Sequence, residues 1–304
     1  MSHTADDARG FVAPEARPRI GFIGLGAMGS RVAGRLLDAG HPVSATNRTA
    51  AKAQPLIERG LTWTSTAREV AASTDIVLSM VTDDDALEAI ATGPDGLLAG
   101  VRAGQVYVDM STVSPQASRR LSERVRARGA DMLDAPVSGS IPQAESGALA
   151  IMVGGDPARI RRGRAAAARA RPGRRPRRPN GQGLVLKLAI NISLAVQTLA
   201  FSEGLVLAER AGVDPDVAAE VVSTSSIGSP MLKARTPLLL HLPDHAWFDV
   251  ELMQKDIRLA RQTAAGLHIP LPSAAVADQI LGEARHLGYG HRDLAALHDV
   301  IAGR

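Results

Sequence analysis

The 304-residue chain contains no cysteine, and only 3% of its residues are aromatic. The absence of cysteine excludes disulfide bonds, thiolate metal sites and a cysteine nucleophile. A reducing compartment is compatible with this composition, so we expect a cytoplasmic protein. Because 45% of the residues are hydrophobic, a sizeable core is expected, built from aliphatic side chains and methionine rather than from aromatic rings.

No segment has the pattern of a secretory signal or a membrane span. Residues 1–18 are polar and lack the apolar stretch of a signal peptide, so we expect a disordered N-terminal extension. The most apolar run, residues 184–201, contains Lys187, Asn191 and Gln197. These polar side chains would be costly in lipid, which favours a buried helix.

Most of the positive charge lies in one short segment. The formal net charge is +4, and ten arginines lie between Arg159 and Arg178, with no acidic residue between Asp156 and Glu203. Without those ten arginines the formal charge of the chain would be −6. The remainder is therefore mildly acidic, as in many enzymes, and the overall basicity is weak evidence for nucleic-acid binding.

The first half of the chain alternates between strand-like and helix-like segments. The β-prone runs are residues 19–23, 43–46, 75–81, 105–109 and 131–135. The helical patterns between them are residues 30–39, 84–91 and 114–128, the last with Ser114 as N-cap and Pro115 at the first helical position. This alternation predicts an α/β fold, a Rossmann-type parallel sheet covered by helices, in a domain spanning residues 19–180.

The second half carries helical patterns without a convincing strand. These patterns are residues 184–211, 215–224, 247–267, 273–287 and 293–301. We therefore expect a long interdomain helix followed by an all-α C-terminal domain, together spanning residues 181–304.

A glycine-rich turn follows the first predicted strand and opens a helix. It reads Gly24, Leu25, Gly26, Ala27, Met28 and Gly29. In a βαβ context, the first glycine of such a motif permits the tight turn, the second admits the pyrophosphate of a dinucleotide, and the third lets helix and strand pack closely. The free N–H groups of the helix N-terminus then face the phosphates, so these residues are predicted to bind a dinucleotide cofactor.

The residues after the second predicted strand indicate which dinucleotide is bound. An acidic residue there would bind the ribose 2′-hydroxyl of NAD. This chain instead has Asn47, Arg48 and Thr49, and no acidic residue from position 40 to 57. Because an arginine can pair with a 2′-phosphate and stack on adenine, we expect NADP, with NAD the less favoured cofactor.

Taken together, the motifs resemble the β-hydroxyacid dehydrogenase family, which includes 3-hydroxyisobutyrate dehydrogenases, tartronate semialdehyde reductases and glyoxylate/succinic semialdehyde reductases. The stretches that carry the resemblance are residues 24–29, 109–112 with Pro115, 134–139, and 181–183 with Lys187 and Asn191; residues 255–256 add a weaker match. The resemblance implies an oxidoreductase that moves a hydride between the nicotinamide and a small β-hydroxyacid or its semialdehyde or keto-acid partner.

Lys187 and Asn191 are the candidate catalytic residues. A lysine within a nearly continuous apolar helix is expensive to bury unpaired, and burial lowers its pKa toward the range of a general acid or base. Asn191 lies four residues on, so it shares the same helix face. The resemblance implies that Lys187 delivers the proton to the carbonyl oxygen and that Asn191 holds lysine and substrate in register.

The resemblance also implies contacts for other residues. Further cofactor contacts are implied for Met80, Val81, Thr82, Thr112 and Lys255. Substrate contacts are implied for Ser111, Ser138, Gly139, Ser140 and Phe248, with Phe248 and Lys255 expected on one C-terminal helix. Members of the family commonly have a second glycine where this chain has Ser140, so the shape of the substrate pocket is expected to differ.

Two other functions are alternatives. Imine reductases share this architecture, although they usually have another residue at the position of Lys187. A dehydrogenase-like module could bind nucleic acid through the arginine-rich segment, but that segment lacks the interleaved aromatic residues that would favour such binding.

For the partners of the protein, we expect a small carboxylate as substrate, no nucleic acid or membrane partner, and a homodimer or homotetramer. His241 and His245 are separated by Pro243, so no metal site is expected.

The segment 157–179 does not fit the rest of the sequence. In the family this stretch provides a helix and a strand, and its length here suits both. Its composition of Arg, Ala, Pro and Gly is what GC-rich codons give when read out of frame. We therefore hypothesise a pair of compensating frameshifts, which resequencing of the DNA would test.

Overall fold

A computed structural model describes residues 17–155 and 179–304. The expectations for the N-terminal extension, up to residue 16, lie outside the described residues, as do those for the arginine-rich segment up to residue 178. The description below concerns the remaining chain.

The N-terminal domain is built on a six-stranded parallel sheet. Its strands are β1 (Ile20–Ile23), β2 (Val43–Thr46), β3 (Thr62–Trp63), β4 (Ile76–Ser79), β5 (Val106–Asp109) and β6 (Asp131–Asp134). The strand order is β3-β2-β1-β4-β5-β6, so the direction of winding reverses between β1 and β4. Ligands of doubly wound sheets bind at such a reversal, beyond the carboxyl ends of the strands. A small antiparallel pair, β7 (Val137–Ser138) and β8 (Ala150–Ile151), follows β6.

Helices cover both faces of this sheet. They are α1 (Ala27–Asp38), α2 (Gln54–Ile57), α3 (Ala67–Ser73), α4 (Asp84–Ala91), α5 (Leu97–Gly100), α6 (Pro115–Ala127) and α7 (Ile141–Ser146). Alternate residues of each strand enter opposite cores, as Phe22 and Ile23 do in β1. Ser114 caps α6 by accepting a hydrogen bond from Ala117 N, and Pro115 is its first residue, which confirms that prediction.

A single helix, α8 (Gln182–Arg210), leads into the second domain. At 1.5 Å per residue, its 29 residues span roughly 43 Å. By length and composition it could cross a membrane, with a mean hydropathy of 1.8 over its most apolar stretch. It packs against the C-terminal helices, and its Thr198 and Ser202 are fully buried, so it is the central helix of a packed domain.

The C-terminal helices surround α8. They are α9 (Pro215–Thr224), α10 (Pro230–Leu240), α11 (Val250–Ala265), α12 (Pro272–His286) and α13 (Leu297–Ala302). The expected all-α character holds for the described residues 179–304. Helix α10 was not predicted. The prediction for α11 began too early: Asp249 is extended and caps the helix by accepting from Leu252 N, so Phe248 precedes the helix and does not lie on it.

Candidate active site

The glycine-rich turn has the shape that a dinucleotide requires. Gly24 has a φ of +97°, and a Cβ there would lie 2.3 Å from the carbonyl oxygen of Met80. A Cβ on Gly29 would lie 2.1 Å from the carbonyl oxygen of Gly24. Gly26 differs, because a Cβ there would meet no atom within 4 Å. Its backbone faces open space at the start of α1, whose N-terminus receives no side-chain cap.

Asn47 joins this turn to the loop after β2. Its Oδ1 accepts a hydrogen bond of 2.9 Å from Leu25 N, and its Nδ2 donates one of 2.9 Å to the carbonyl oxygen of Thr49. The Leu25 side chain is in the core, whereas Arg48 and Thr49 are exposed. The structure therefore gives Asn47 a role in shaping the loop and leaves the Arg48 guanidinium in solvent at the end of β2.

A cleft of about 860 Å³ lies between the sheet and the helical domain. It brings together most of the predicted site residues: Gly26, Ala27, Met28, Gly29, Met80, Val81, Thr82, Ser111, Thr112, Ser138, Gly139, Ser140, Lys187, Asn191, Phe248 and Lys255. The other predicted residues do not line it, namely Gly24, Leu25, Asn47, Arg48 and Thr49. They form the turn and the loop at its rim.

Lys187 lies in this cleft on the second turn of α8. Burial lowers the pKa of its ammonium group, the positive charge of Lys255 lowers it further, and the negative charge of Asp256 partly opposes both. The Nζ lies 5.9 Å from the centre of the Phe248 ring. A lysine whose pKa is lowered inside a cleft gives up its proton more readily than an exposed lysine, which suits a general acid or base.

Asn191, one helical turn after Lys187, is connected to the sheet domain through Asp256 and Lys255. Asn191 is fully buried, and its Nδ2 donates to Asp256 Oδ2 at 2.5 Å. The other Asp256 oxygen lies 2.9 Å from Lys255 Nζ, and Lys255 also donates to the carbonyl oxygen of Thr112. The buried Asn191 Oδ1 has no hydrogen-bond partner among the described residues. It is an acceptor available to a ligand hydroxyl or to an ammonium group in the cleft.

Ser111 is held by a buried carboxylate. Its Oγ donates to Asp109 Oδ1 at 2.6 Å and accepts from Val81 N at 2.9 Å. Ser79 also donates to Asp109 Oδ1. Burial raises the pKa of Asp109 to about 6, against the hydrogen bonds from Ser111 and Ser79 that lower it. The hydroxyl proton of Ser111 is thus directed away from the cleft, and the serine ties the end of β4 to the end of β5.

The turn after β7 forms another wall. Gly139 has a φ of +126°, and a Cβ there would lie 2.8 Å from Leu149 Cδ2, so glycine is required. The backbone N–H and the hydroxyl of Ser140 both donate to Gln143 Oε1, at 2.9 and 3.0 Å. Ser140 is therefore engaged within α7, and the Ser138 side chain and the Gly139 backbone remain as the polar groups that face the cleft.

Phe248 is positioned by a buried ion pair. Asp293 Oδ1 accepts from Arg235 Nη1 at 2.7 Å, and the two side chains are 0% and 6% exposed. Its Oδ2 accepts the backbone N–H groups of Trp247 and Phe248, at 2.8 and 3.2 Å. Asp293 thereby fastens the segment before α11 to helix α10.

Four acidic side chains that hold the site in shape were not among the predicted residues: Asp109, Asp134, Asp256 and Asp293. Asp134 accepts from Gly181 N at 2.8 Å and from Leu184 N at 3.1 Å, and so caps α8 from the end of β6. These partners lie 47 and 50 positions away in sequence. The sequence did offer one signal for Asp109 and Asp134, since each is an acidic residue at or next to the end of a predicted strand, where a loop begins.

Residues 17–155 and 179–304 contain no cluster of three His, Cys, Asp or Glu side chains that could hold a metal ion. The two histidines considered from the sequence, His241 and His245, are both exposed after α10. The cleft fits a dinucleotide instead: the open space over Gly26 admits a pyrophosphate, and the uncapped N–H groups of α1 face it.

Comparison with known proteins agrees with this geometry. Residues 19–167 match the family model described as the NAD binding domain of 6-phosphogluconate dehydrogenase, and residues 181–301 match that described as NAD-binding of NADP-dependent 3-hydroxyisobutyrate dehydrogenase.

Two curated relatives align over most of both chains. Glyoxylate/succinic semialdehyde reductase 2, chloroplastic, of Arabidopsis thaliana is 33% identical, covering 93% of this chain and 79% of its own. The 2-hydroxy-3-oxopropionate reductase of Escherichia coli strain K12 is also 33% identical, covering 92% and 95%. A crystal structure of 3-hydroxyisobutyrate dehydrogenase from Salmonella typhimurium superposes with a TM-score of 0.84 at 27% identity, covering 93% of this chain and 99% of that chain.

The doubly wound sheet, the glycine turn at its switch point and the cleft beside it define an NAD(P)-dependent oxidoreductase. With relatives at this identity and coverage, the chain belongs to the β-hydroxyacid dehydrogenase family, and its activity is that of an NAD(P)-dependent hydroxyacid dehydrogenase or reductase.

Proposed function

We propose that the protein interconverts a small β-hydroxyacid and its semialdehyde or keto-acid partner, with NADP as the preferred cofactor and Lys187 as general acid and base. The observation that carries this proposal is the placement of Lys187 in the cleft that the Gly26 turn also lines, one helical turn before Asn191. The nicotinamide supplies or accepts the hydride when it is bound.

Lys187 and Asn191 are proposed to manage the proton at the reacting oxygen. During reduction, the Lys187 ammonium donates its proton to the carbonyl oxygen; during oxidation, the neutral amine takes it back. Burial disfavours the charged form and lowers the pKa of Lys187, so the ammonium gives up its proton to the carbonyl oxygen more readily than an exposed lysine would. The free Asn191 Oδ1 accepts from the Lys187 ammonium or from the substrate hydroxyl, and Asp256 holds the amide in that orientation.

The substrate carboxylate is proposed to lie against the turn after β7. The Ser138 hydroxyl and the Gly139 N–H are the donors there, since the donors of Ser140 are engaged with Gln143. The proposed cofactor contacts Ala27 to Gly29, Met80 to Thr82, Thr112 and Lys255 line the same cleft, and Lys255 reaches the sheet domain by donating to the carbonyl oxygen of Thr112. Phe248 lies over Lys187 and shields the reacting atoms from water.

The preference for NADP rests on Arg48. It is an exposed arginine at the carboxyl end of β2, and no acidic residue from 40 to 57 is present to favour a ribose 2′-hydroxyl. The family model over residues 181–301 is itself described as that of an NADP-dependent enzyme. Asn47 holds the loop on which Arg48 sits.

The domain division is proposed as a cofactor domain at 19–180 and a helical domain at 181–304.

An exposed apolar face of α9 supports an oligomer. The side chains of Val213, just before the helix, and of Val217 and Val221 on it are 43%, 51% and 61% exposed. Large exposed apolar side chains at this spacing are typical of an interface, which supports the proposed homodimer or homotetramer. We propose a cytoplasmic enzyme with a small carboxylate as partner and no nucleic acid.

The test of the reaction is NADPH consumption with glyoxylate, succinic semialdehyde, tartronate semialdehyde and a cyclic imine. We expect turnover of a semialdehyde or keto acid, and a fall in kcat of roughly 10²–10⁴-fold in Lys187→Ala. Lys233→Ala, an exposed lysine outside the cleft, is the control. Turnover of the imine alone, or full activity of Lys187→Ala with unchanged NADPH binding, would contradict the proposal.

The cofactor preference is tested separately. Arg48→Gln is expected to lower the ratio of kcat/KM for NADPH to that for NADH by roughly tenfold or more, because a charge-assisted contact to the 2′-phosphate is lost. Lys52→Gln removes a nearby exposed positive charge and should leave the ratio unchanged. An equal effect of the two variants would show that Arg48 acts only through overall charge.

A further inference from the structure

The cleft continues beyond the proposed proton donor into the helical domain. Along α8, Lys187, Asn191, Leu194 and Gln197 all line it. The ten residues from Lys187 to Gln197 correspond to roughly 15 Å along the helix axis, leading away from the glycine turn. This extension, which we call the distal end, provides room for a substituent on the substrate beyond its reacting carbon.

The walls of the distal end are mainly uncharged. Leu194 and Gln197 of α8 face Met231 and Ala234 of α10 and the indole of Trp247 around the same cleft. The Gln197 Oε1 accepts a hydrogen bond of 2.9 Å from Ser229, which fixes its amide. The side chains here offer apolar contact and neutral hydrogen bonding to a bound molecule.

Arg235 is the cation at the distal end, and its charge is already balanced. It forms the 2.7 Å ion pair with Asp293, and both side chains are buried. The Asp293 carboxylate in turn receives the Trp247 and Phe248 N–H groups. Arg235 is therefore part of the wall, where it positions the Trp247–Phe248 segment, and it carries no uncompensated charge toward a ligand.

The rest of the cleft has no spare positive charge either, as far as residues 17–155 and 179–304 describe it. Lys255 is paired with Asp256, and Asp249, another lining residue, is acidic. The remaining cation is Lys187, which the proposed reaction uses. A second carboxylate at the distal end would leave water without gaining a counter-ion, and an unpaired buried charge is expensive.

We infer that the substrate is a monocarboxylate whose remaining substituent is uncharged, and that the distal end selects against dicarboxylates. This inference rests on the proposed function, since it describes the specificity of the same site. Arg235 is a positioning residue in it, acting through Asp293 on Phe248, and does not bind the substrate.

The experiment compares three matched substrates for oxidation by the NADP-loaded enzyme. They are 3-hydroxypropanoates that carry at C2 a propyl, a carbamoylethyl or a carboxyethyl group, the last being 2-(hydroxymethyl)glutarate. The propyl and carbamoylethyl compounds are expected to have kcat/KM values at least roughly tenfold above that of the carboxyethyl compound, because only the latter buries an unpaired charge. A carboxyethyl value within tenfold of the others, or above them, would overturn the inference while leaving the proposed function intact. Failure to oxidise all three and 3-hydroxypropanoate itself would overturn the proposed function, and the inference with it.

Two variants separate charge from structure. Met231→Lys adds an unpaired cation to the distal wall and is expected to reduce the discrimination against the carboxyethyl compound by roughly tenfold, whereas Met231→Gln should not. Arg235→Gln should lower kcat/KM for all three compounds by the same factor. A selective loss of activity with the carboxyethyl compound in Arg235→Gln would overturn the inference, because it would show that Arg235 binds a carboxylate at the distal end. An unchanged ratio in Met231→Lys would also overturn it, because the missing counter-ion would then not be the cause of the discrimination.

Discussion

The amide of Asn191 and the carboxylate of Asp256 join helices α8 and α11 by a buried hydrogen bond of 2.5 Å. This contact keeps the negative charge of Asp256 near Lys187, where it raises the pKa of the lysine against the lowering effect of burial. The same carboxylate also holds Lys255. Asp256 therefore links the orientation of the amide to the proton affinity of the amine.

Asp256→Asn should move the pH profile of reduction to lower pH. In the proposed reaction, reduction requires the protonated Lys187, so the rate of reduction falls as pH rises through the lysine pKa. The negative charge of Asp256 raises this pKa, so its removal should lower the pKa and move the falling limb of log kcat against pH to lower pH. Glu251→Gln, which removes a carboxylate on the same helix outside the cleft, should leave the limb in place. A shift upward, or equal shifts in both variants, would contradict the assignment.

Two glycines of the cofactor turn should respond differently to alanine. Gly26→Ala places its methyl in open space with an allowed φ of −76°, so the melting temperature should hold while NADPH affinity falls. Gly29→Ala places its methyl 2.1 Å from the Gly24 carbonyl oxygen and should destabilise the protein, with or without cofactor. Thermal unfolding and NADPH fluorescence titration measure the two effects. Equal loss of stability in both variants would refute the assignment of Gly26 to ligand access.

Asp109 should make the stability of the fold depend on pH. Its folded-state pKa is raised from 3.8 to about 6 by burial, so the folded protein favours the protonated form. The stabilisation is present at low pH and is lost as pH rises through about 6. Relative to Asp109→Asn, the wild type should lose about 2 kcal/mol of unfolding free energy between roughly pH 4.5 and 7.

Urea unfolding at both pH values measures this difference. Asp75→Asn is the matched control, because the Arg19 side chain holds the Asp75 pKa below its usual value, and that group stays ionised throughout the window. A constant difference between the wild type and Asp109→Asn would show that Asp109 titrates at its ordinary pKa.

Asp134 is expected to stabilise the start of α8. Asp134→Ala leaves the N–H groups of Gly181 and Leu184 without their acceptor in a buried place, which should cost about 1–3 kcal/mol of unfolding free energy. Asp134→Asn retains an acceptor oxygen and should lie between the alanine variant and the wild type. Equal stability of Asp134→Ala and the wild type would mean that water replaces the carboxylate.

The parts of this fold that were predictable are those with local signals. The five longer strands of the parallel sheet were placed within two residues of their observed ends, since apolar runs bounded by glycine or polar residues mark them. Helix α10 was missed because Pro237 lies inside it, and a proline in a helical pattern argues for an end. Strand β3, with two residues, is too short to show an alternation.

The site was predictable to the extent that motifs mark it. Lys187 and Asn191 were predicted from two polar side chains in an apolar helix together with the family resemblance of the flanking motifs, and the structure brings them together with Ser138 and Lys255 in one cleft. The carboxylates behind them were not found, because each has at least one partner distant in sequence, as Asn191 and Asp256 are by 65 positions. Those long-range pairings depend on how whole helices and strands pack, which no local pattern encodes.

Helix α8 fixes the position of the Lys187 amine from two directions. Lys187 is the sixth residue of this helix, less than two turns from the end that Asp134 fastens to the sheet. One turn beyond Lys187, Asn191 is fastened to α11 by its hydrogen bond to Asp256. The amine therefore lies on a short stretch of helix that is anchored to the sheet at one end and to the helical bundle at the other, so its place in the cleft depends on both attachments.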